Sequence, residues 1–166
     1  MKNHATKPSI TLRPVRLEDE DFLFRVYAST RSEELEQTGW TEEQKQSFLL
    51  MQFNAQRQDY TSRFPGAEYS VVLVGGIPAG RLWVHRSDDE IRLLDIALLP
   101  GYRNAGTGTE LLNRLIAEAK ASGSPLRHSV FKLNEGALRF YQRLGFAVID
   151  DLETYYVMEW NLGGTG

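Results

Sequence analysis

The stretch from Leu93 to Leu115, LLDIALLPGYRNAGTGTELLNRL, changes its hydrophobic pattern twice. Leu93 to Leu99 is an almost continuous apolar run, which is typical of a strand buried on both faces. Residues 100–108 contain three glycines. From about Thr107 the apolar residues recur every three or four positions, as on a helix that packs by one face. The stretch therefore predicts a buried strand, a glycine-containing loop and an amphipathic helix.

The loop carries the pattern R-x-x-G-x-G from Arg103 to Gly108. A helix start leaves unpaired backbone N–H groups and a partial positive charge, and a glycine lets an anion come close to the backbone. Arg103 adds a cation with a bidentate fork, and the hydroxyls of Thr107 and Thr109 add further donors. The loop therefore indicates a phosphate or pyrophosphate site, although glycines here also serve simply to turn the chain.

Two other phosphate-binding patterns are excluded. A P-loop requires a Lys-Ser/Thr pair after the second glycine, and Gly108 is followed by Thr109-Glu110 instead. The dinucleotide fingerprint G-x-G-x-x-G is also absent from this loop. An α/β protein that binds phosphate without any relation to coenzyme A stays open as an alternative.

The composition is that of an ordinary globular domain. The 166 residues are 42% hydrophobic and 25% charged, and the net charge of −3 gives no support to nucleic acid as a partner. The absence of cysteine excludes disulfides and thiolate chemistry, and three scattered histidines lack metal-ligand spacing, so no metal is expected. Residues 1–10 lack the apolar segment of a secretion signal, and no apolar run reaches the ~20 residues of a membrane span. We therefore expect a cytoplasmic protein without a membrane partner.

Periodicity, caps and turns predict the order β-α-α-β-β-β-α-β-α-β-β, and hence an α/β (α+β) fold. The predicted strands lie at about 10–15, 69–74, 77–85, 91–99, 126–133, 146–149 and 155–160. The predicted helices lie at about 18–30, 41–60, 107–123 and 135–144. A polar connection is expected at 31–40, and Thr41 and Gln44 are predicted to form a capping box at the start of the second helix. Gly123 is the predicted residue after the third helix, and Asn134 is the predicted cap of the fourth. Pro14 favours an edge position for the first strand. The strands that flank the third helix are expected to be parallel, joined by a right-handed crossover. A single domain is predicted over residues 9–161, with flexible tails at 1–8 and 162–166.

Two motifs in this order resemble those of the GNAT superfamily of acetyl-CoA-dependent N-acetyltransferases. The first is Arg103-x-x-Gly106-x-Gly108, between a strand and a helix. The second is the segment from Asn134 to Phe146, which is similar to N-x-x-A-x-x-F-Y-x-x-x-G-F. The resemblance implies a mixed, mostly antiparallel twisted sheet of six to seven strands with about four helices. Asn104 and Ala105 depart from the glycine or basic residues of many members, which weakens the positive charge but leaves the backbone donors.

The resemblance implies that an acetyl group passes from acetyl-CoA to a primary amine by direct attack in a ternary complex. The pantetheine arm is expected to pair with the backbone of β-strand residues 96–98, and the Leu98 N–H is the candidate for polarising the thioester carbonyl. The expected coenzyme-binding residues are Ile96, Ala97, Leu98, Arg103, Asn104, Ala105, Gly106, Thr107, Gly108, Thr109, Asn134 and Tyr141.

Tyr141 and Asp95 are the expected catalytic residues. Tyr141 matches the family tyrosine near the coenzyme sulfur, and a phenol with a pKa of ~10 can protonate the departing thiolate; as an alternative, it is a core aromatic residue. Asp95 lies in the central strand, where it is the first candidate for the base that deprotonates the amine. Its alternative role is structural, and His85 is the second candidate for the base.

The acceptor is expected to be a small-molecule or peptide amine that binds at the two N-terminal helices and the closing hairpin.

Two groups of residues on the N-terminal helices allow two interpretations each. A carboxylate cluster either attracts a cationic amine or is a solvated face; it comprises Glu33, Glu34, Glu36 and Asp59. An apolar stripe on the second helix is expected in the core, with a part of it open to a substrate groove; it comprises Phe48, Leu49, Met51, Phe53 and Ala55. A non-catalytic acyl-CoA-binding sensor or scaffold, a longer-chain acyltransferase and a homodimer all stay open.

Overall fold

The computed structural model describes residues 7–161, and its elements follow the predicted order. The strands are β1 (Ile10–Pro14), β2 (Glu68–Val74), β3 (Ile77–Arg86), β4 (Ile91–Leu98), β5 (Leu126–Phe131), β6 (Ala147–Asp151) and β7 (Tyr155–Trp160). The α-helices are α1 (Glu20–Glu36), α2 (Glu42–Arg63), α3 (Thr107–Ser122) and α4 (Glu135–Arg143). Single 3-10 turns occur at Leu17–Asp19 and Pro100–Tyr102. The parts of the predicted tails at 1–6 and 162–166 lie outside the described residues.

Within residues 7–161 the strands form a seven-stranded sheet in the order β1-β2-β3-β4-β5-β7-β6. The β4–β5 pair is parallel, with Ile91 opposite Leu126, which confirms the predicted crossover through α3. The β1–β2, β5–β7 and β6–β7 pairs are antiparallel. The predicted mixed, mostly antiparallel class is therefore confirmed, and β1 lies at an edge as Pro14 indicated.

The first helix is longer than the sequence indicated. A polar connection was expected from Arg31, but α1 continues to Glu36. Leu35 is buried and fixes the last turn to the core, so one apolar contact outweighs several polar residues. The fifth strand is shorter than the sequence indicated. β5 ends at Phe131 instead of Leu133, because the Asn134 N–H donates to the Phe131 carbonyl at 3.0 Å and turns the chain.

The described chain forms two compact units, and the first comprises residues 7–82 and 96–107. Its core joins α1, α2, β2 and the end of β4, and the buried members are Phe22, Leu23, Val26, Tyr27, Leu35, Leu49, Phe53, Val71 and Ala97. α2 begins with the predicted capping box, in which the Gln44 N–H donates to Thr41 Oγ1 at 3.2 Å and the Thr41 N–H donates to Gln44 Oε1 at 2.9 Å.

The second unit comprises residues 83–95 and 108–161. One face of α3 is buried there, through Leu111, Leu112, Leu115, Ile116 and Ala119. Leu126 and Val130 of β5 and Met158 of β7 are also buried. α3 ends at Ser122, where Gly123 takes a φ of +70° as the predicted residue after the helix. The expectation of one domain over residues 9–161 stays a prediction.

An ion pair in the first unit connects β1 to the start of α1. Arg13 Nη1 and Nη2 each donate to a carboxylate oxygen of Asp19 at 2.8 Å, and the Arg16 N–H donates to Asp19 Oδ2 at 2.7 Å. The hydrogen bond from Arg13 is the main cause that lowers the pKa of the Asp19 carboxyl to about 2. Because the folded-state pKa lies below the unfolded value, the charged carboxylate stabilises the fold above about pH 4, and this contribution is lost as the pH falls towards 2.

We expect Asp19→Asn to lower the free energy of unfolding by about 1–2 kcal/mol at pH 7. Asparagine keeps an oxygen that accepts from the Arg16 N–H, so the lost stability comes from the missing negative charge. The difference in the free energy of unfolding between the variant and the unsubstituted protein falls to about half at pH 3. Urea unfolding at pH 7 and pH 3 would measure it. Asp21→Asn is the control, since Asp21 is exposed on the same helix end. A difference that does not depend on pH would contradict the electrostatic origin.

Candidate active site

The loop between β4 and α3 leaves backbone donors without protein acceptors. Its first part is closed by the Tyr102 N–H, which donates to the Leu99 carbonyl at 2.9 Å, and by the Arg103 N–H, which donates to the Pro100 carbonyl at 3.3 Å. Residues 103–104 form a turn, and within residues 7–161 the N–H groups of Asn104 and Gly106 donate to no protein acceptor. The first-turn N–H groups of α3 follow directly. An exposed row of donors at a helix start favours binding of an anion.

Two residues of this loop take positive φ values. Gly106 has a φ of +83°, as its glycine identity allows, and Asn104 has a φ of +60°. Asparagine is one of the few other residues that tolerate this region. Gly108 is helical instead, and a Cβ added there would lie 3.9 Å from the Phe140 ring. Thr109 is exposed, whereas Thr107 is buried. The glycine of the predicted motif that shapes the turn is therefore Gly106.

The Arg103 side chain binds protein atoms in the first unit. Its Nε donates to the Leu98 carbonyl at 2.9 Å. Its Nη2 donates to Ser29 Oγ at 3.1 Å and approaches the Ser29 carbonyl at 3.3 Å. The edge of the guanidinium formed by Nε and Nη2, which was expected to act as a fork for an anion, is thus engaged within the protein.

The end of β4 lies very close to β3 in the first unit. A Cβ added to Gly80 would lie 2.2 Å from the Ala97 carbonyl oxygen and 2.8 Å from Leu98 Cδ2, so only glycine fits there. The Leu99 N–H also donates to the Ala79 carbonyl at 2.8 Å. Gly80 thus fixes the backbone at the proposed pantetheine segment. Sequence reasoning missed it, although a glycine inside a strand pattern is a signal of close backbone approach.

Tyr141 has a buried ring and a hydroxyl without a protein partner. Its ring centroid lies 4.8 Å from that of His128 and 5.3 Å from that of Phe146, and the residue is 4% exposed. In the part of the chain that the structure describes, the hydroxyl makes no protein hydrogen bond. Burial, and then the negative charge of Asp95, raise the pKa of the phenol above its usual range. Tyr141 therefore stays protonated at neutral pH.

His128 is a neighbour that sequence reasoning did not identify. Its Nδ1 lies 2.9 Å from the Leu93 carbonyl oxygen, which can only accept, so Nδ1 carries the proton of the neutral ring and Nε2 is an acceptor. Burial is the main cause that lowers the pKa of the imidazole. Asp95 acts electrostatically on both His128 and Tyr141, so the second unit brings together the predicted acid, the predicted base and a neutral histidine.

Asn134 has the capping role that the sequence predicted. Its Oδ1 accepts from the Ala137 N–H at 3.1 Å, at the start of α4. Since the side chain is exposed, its amide nitrogen still faces solvent. The expected contact between Asn134 and the coenzyme stays a prediction.

The carboxylates of α1 and α2 are mostly paired with cations on the surface of the first unit. Glu34 lies 3.2 Å from Arg31, Glu36 lies 3.7 Å from Lys45, and Asp59 lies 3.1 Å from Arg63. These exposed pairs favour the interpretation of a solvated face over that of an acceptor site.

The apolar stripe of α2 divides into a core part and an open part. Leu49 and Phe53 are buried, whereas Met51 is 58% exposed and Ala55 is also exposed, so the expectation of a core position is wrong for the last two. Met51 and Phe48 instead line an open groove of about 720 Å³, together with Trp40, Thr41, Glu43, Gln44 and Ser47. Part of the stripe therefore faces a groove, as the sequence interpretation allowed.

Two other kinds of site are absent from residues 7–161. No group of three or more His, Cys, Asp or Glu residues is arranged to hold a metal ion. None of the helices there combines the length and the apolar composition needed to cross a bilayer.

Two curated proteins with similar sequences are both named as N-acetyltransferases. The (ribosomal protein bS18)-alanine N-acetyltransferase of Haemophilus influenzae is 34% identical over 68 residues, which are 41% of this chain and 47% of that protein. N-alpha-acetyltransferase 50 of Danio rerio is 28% identical over 92 residues, or 54% of each chain. The chain thus spans about half the length of the curated relatives it matches.

Among solved structures, the PaiA N-acetyltransferase from Thermoplasma acidophilum in complex with coenzyme A has the same fold. It has a TM-score of 0.68 at 21% identity, over 92% of this chain and 99% of that one. The sequence model of the acetyltransferase (GNAT) family matches residues 24–146, which include both motifs up to Phe146. Since this match covers most of the sequence and the fold agrees with it, the chain belongs to the acetyltransferase (GNAT) family.

Proposed function

We propose that the protein transfers an acetyl group from acetyl-CoA to a primary amine by direct attack in a ternary complex. The neutral amine nitrogen attacks the thioester carbon, the C–S bond breaks, a base takes the amine proton and an acid protonates the departing thiolate. The observation that carries the proposal is the pair of backbone N–H groups at Asn104 and Gly106, which have no acceptor among residues 7–161 and lead into the first turn of α3.

The loop supplies the binding of the coenzyme. Its free N–H groups, from residue 104 into the first turn of α3, suit the diphosphate in charge and in hydrogen-bonding capacity. The backbone of Ile96 to Leu98 receives the pantetheine amides, and the Leu98 N–H polarises the thioester carbonyl. Asn134 adds its exposed amide. The complex of the Thermoplasma relative with coenzyme A supports the choice of this ligand.

Tyr141 is the proposed acid. Its ring is fixed by aromatic contacts, and its hydroxyl is not used by the described protein, so the proton can be given to the thiolate. The raised pKa keeps the phenol protonated through the neutral range. Asp95 is the proposed base, acting directly or through a water, because it is the carboxylate whose charge reaches both Tyr141 and His128.

The acceptor that the comparisons favour is the α-amino group of a peptide. The two curated relatives are named for the acetylation of alanine on ribosomal protein bS18 and for N-alpha-acetylation. The groove of α2 offers aromatic and aliphatic surface beside Glu43, which suits a protonated amine that carries an apolar side chain.

A thiol-release assay tests the reaction itself. We expect free coenzyme A to form from acetyl-CoA in the presence of short peptides with free N-termini, and more slowly with polyamines, aminoglycosides or free amino acids. Binding of acetyl-CoA without thiol release from any amine would instead assign the chain to the alternative class of acyl-CoA sensors or scaffolds.

Tyr141→Phe should reduce turnover by at least about tenfold, because the acid is removed. The affinity for acetyl-CoA and the unfolding temperature should change little, since the lost hydroxyl has no partner within the described protein. Steady-state kinetics with calorimetric titration would measure both. With the raised pKa, the unsubstituted enzyme should show no loss of activity from this phenol below about pH 10. An unchanged rate in the variant would reject the acid role.

Gly106→Ala should weaken the binding of acetyl-CoA by about three- to tenfold, because an L-residue is strained at a φ of +83° and the N–H groups would be reoriented. A Cβ at this position meets no atom within 4 Å, so steric exclusion does not explain the effect. Gly101→Ala is the matched control, since Gly101 lies in the same loop, also has open space and does not need a positive φ. Titration calorimetry measures both variants, and equal affinities would disprove the assignment of the diphosphate to this loop.

A further inference from the structure

The loop that offers its amides to an anion has few hydrogen bonds of its own. Within residues 7–161, the Tyr102 and Arg103 N–H groups donate to carbonyls near its start, and a turn follows at residues 103–104. The N–H groups of Asn104 and Gly106 have no acceptor among residues 7–161, and both residues have positive φ values. Donors that are kept free for a ligand cannot also hold the loop in place. Its shape therefore depends on a side chain.

Arg103 has the contacts needed for that task. Its Nε donates to the carbonyl of Leu98, the last residue of β4, at 2.9 Å, and its Nη2 donates to Ser29 Oγ of α1 at 3.1 Å. One planar group thus joins the start of the loop to the middle of a helix. Only a guanidinium presents donors along one edge at the separation that these two acceptors require, which a lysine ammonium cannot reproduce.

Ser29 is well suited to receive this contact. Its hydroxyl donates to the Val26 carbonyl at 2.7 Å, so the hydroxyl proton is already engaged and the oxygen lone pairs face other donors. Val26 and Tyr27, on the adjacent turn, are buried in the core of the first unit at 0% and 3% exposure. The acceptor of the Arg103 bond is therefore fixed to one of the most rigid parts of that unit.

We propose that Arg103 is a positioning residue, which holds the coenzyme-binding loop against α1 through Ser29 and acts on the coenzyme through the loop. The inference rests on the proposed function. It makes Ser29, which lies 74 positions before Arg103 in the chain and belongs to no motif, a determinant of acetyl-CoA affinity. It also makes the shape of the side chain at position 103 matter more than its charge.

Calorimetric titration with acetyl-CoA separates positioning from direct phosphate binding. If Arg103 positions the loop, Arg103→Lys weakens binding by about three- to tenfold and nearly as much as Arg103→Ala, because lysine keeps the charge but cannot bridge both acceptors. If the cation binds phosphate directly, Arg103→Lys keeps an affinity close to that of the unsubstituted protein. That result would overturn the proposal.

Ser29→Ala provides the second arm, since it leaves the loop residues unchanged. We expect a smaller loss, of about two- to fivefold, because the Ser29 carbonyl, which also accepts from Arg103 Nη2 at 3.3 Å, remains in the variant. No additional loss is expected when it is combined with Arg103→Ala, as a double-mutant cycle would show. Thr30→Ala is the matched control, because Thr30 Oγ1 donates to the Tyr27 carbonyl in the same way but does not contact the loop. An unchanged affinity for Ser29→Ala, or additive losses in the double variant, would refute the coupling.

A ligand-free measurement distinguishes this inference from the proposed function. The Tyr102 amide is held by its bond to the Leu99 carbonyl, so its hydrogen exchange reports the order of the loop without coenzyme. Arg103→Lys and Ser29→Ala should accelerate this exchange several-fold, whereas Thr30→Ala should not. If the two variants exchange faster but the unsubstituted protein does not bind acetyl-CoA, the positioning role of Arg103 stands and the proposed function is rejected. An unchanged exchange rate of the Tyr102 amide in both variants would overturn the positioning role of Arg103.

Discussion

Backbone N–H groups that the described protein leaves without partners are the constraint on which the proposed site depends. In most loops such donors are satisfied internally, because unpaired buried polar groups are costly. Here residues 104–106 are exposed, so the donors that have no protein acceptor face solvent and carry no burial cost. The helix that follows adds the partial positive charge of its first turn. The site therefore requires no cluster of basic residues, in agreement with a chain whose net charge is −3.

In the second unit, the surroundings of Tyr141 keep its phenol protonated. Aromatic rings around Tyr141 exclude water from its ring and disfavour the phenolate, and the negative charge of Asp95 acts in the same direction. Burial lowers the pKa of His128 and disfavours an imidazolium beside the phenol, while the Leu93 carbonyl fixes the tautomer of the neutral ring. Burial and a single carboxylate thus set the protonation state that an acid needs.

Local patterns in the sequence were sufficient for most of the fold. The order of elements, the parallel β4–β5 pair, the capping box at Thr41 and the cap at Asn134 follow from residue types at short spacing, and the structure confirms each of them. The boundaries of α1 and β5 differed from expectation, because the burial of Leu35 and the turn after Phe131 depend on tertiary contacts.

The parts of the site that sequence reasoning missed also depend on contacts between residues that are far apart in the sequence. The bond between Arg103 and Ser29 joins residues 74 positions apart, and the bond between His128 and Leu93 joins residues 35 positions apart. Neither Ser29 nor His128 belongs to a motif. Gly80 is different, since a glycine within a strand is a local signal whose partner, the Ala97 carbonyl, is visible only in the folded chain.

The most direct measurement is a crystal structure of the protein with acetyl-CoA. We expect diphosphate oxygens within about 3.2 Å of backbone nitrogens between residue 104 and the first turn of α3, which is hydrogen-bond distance. A coenzyme bound with its diphosphate on any other part of the chain would contradict the central claim.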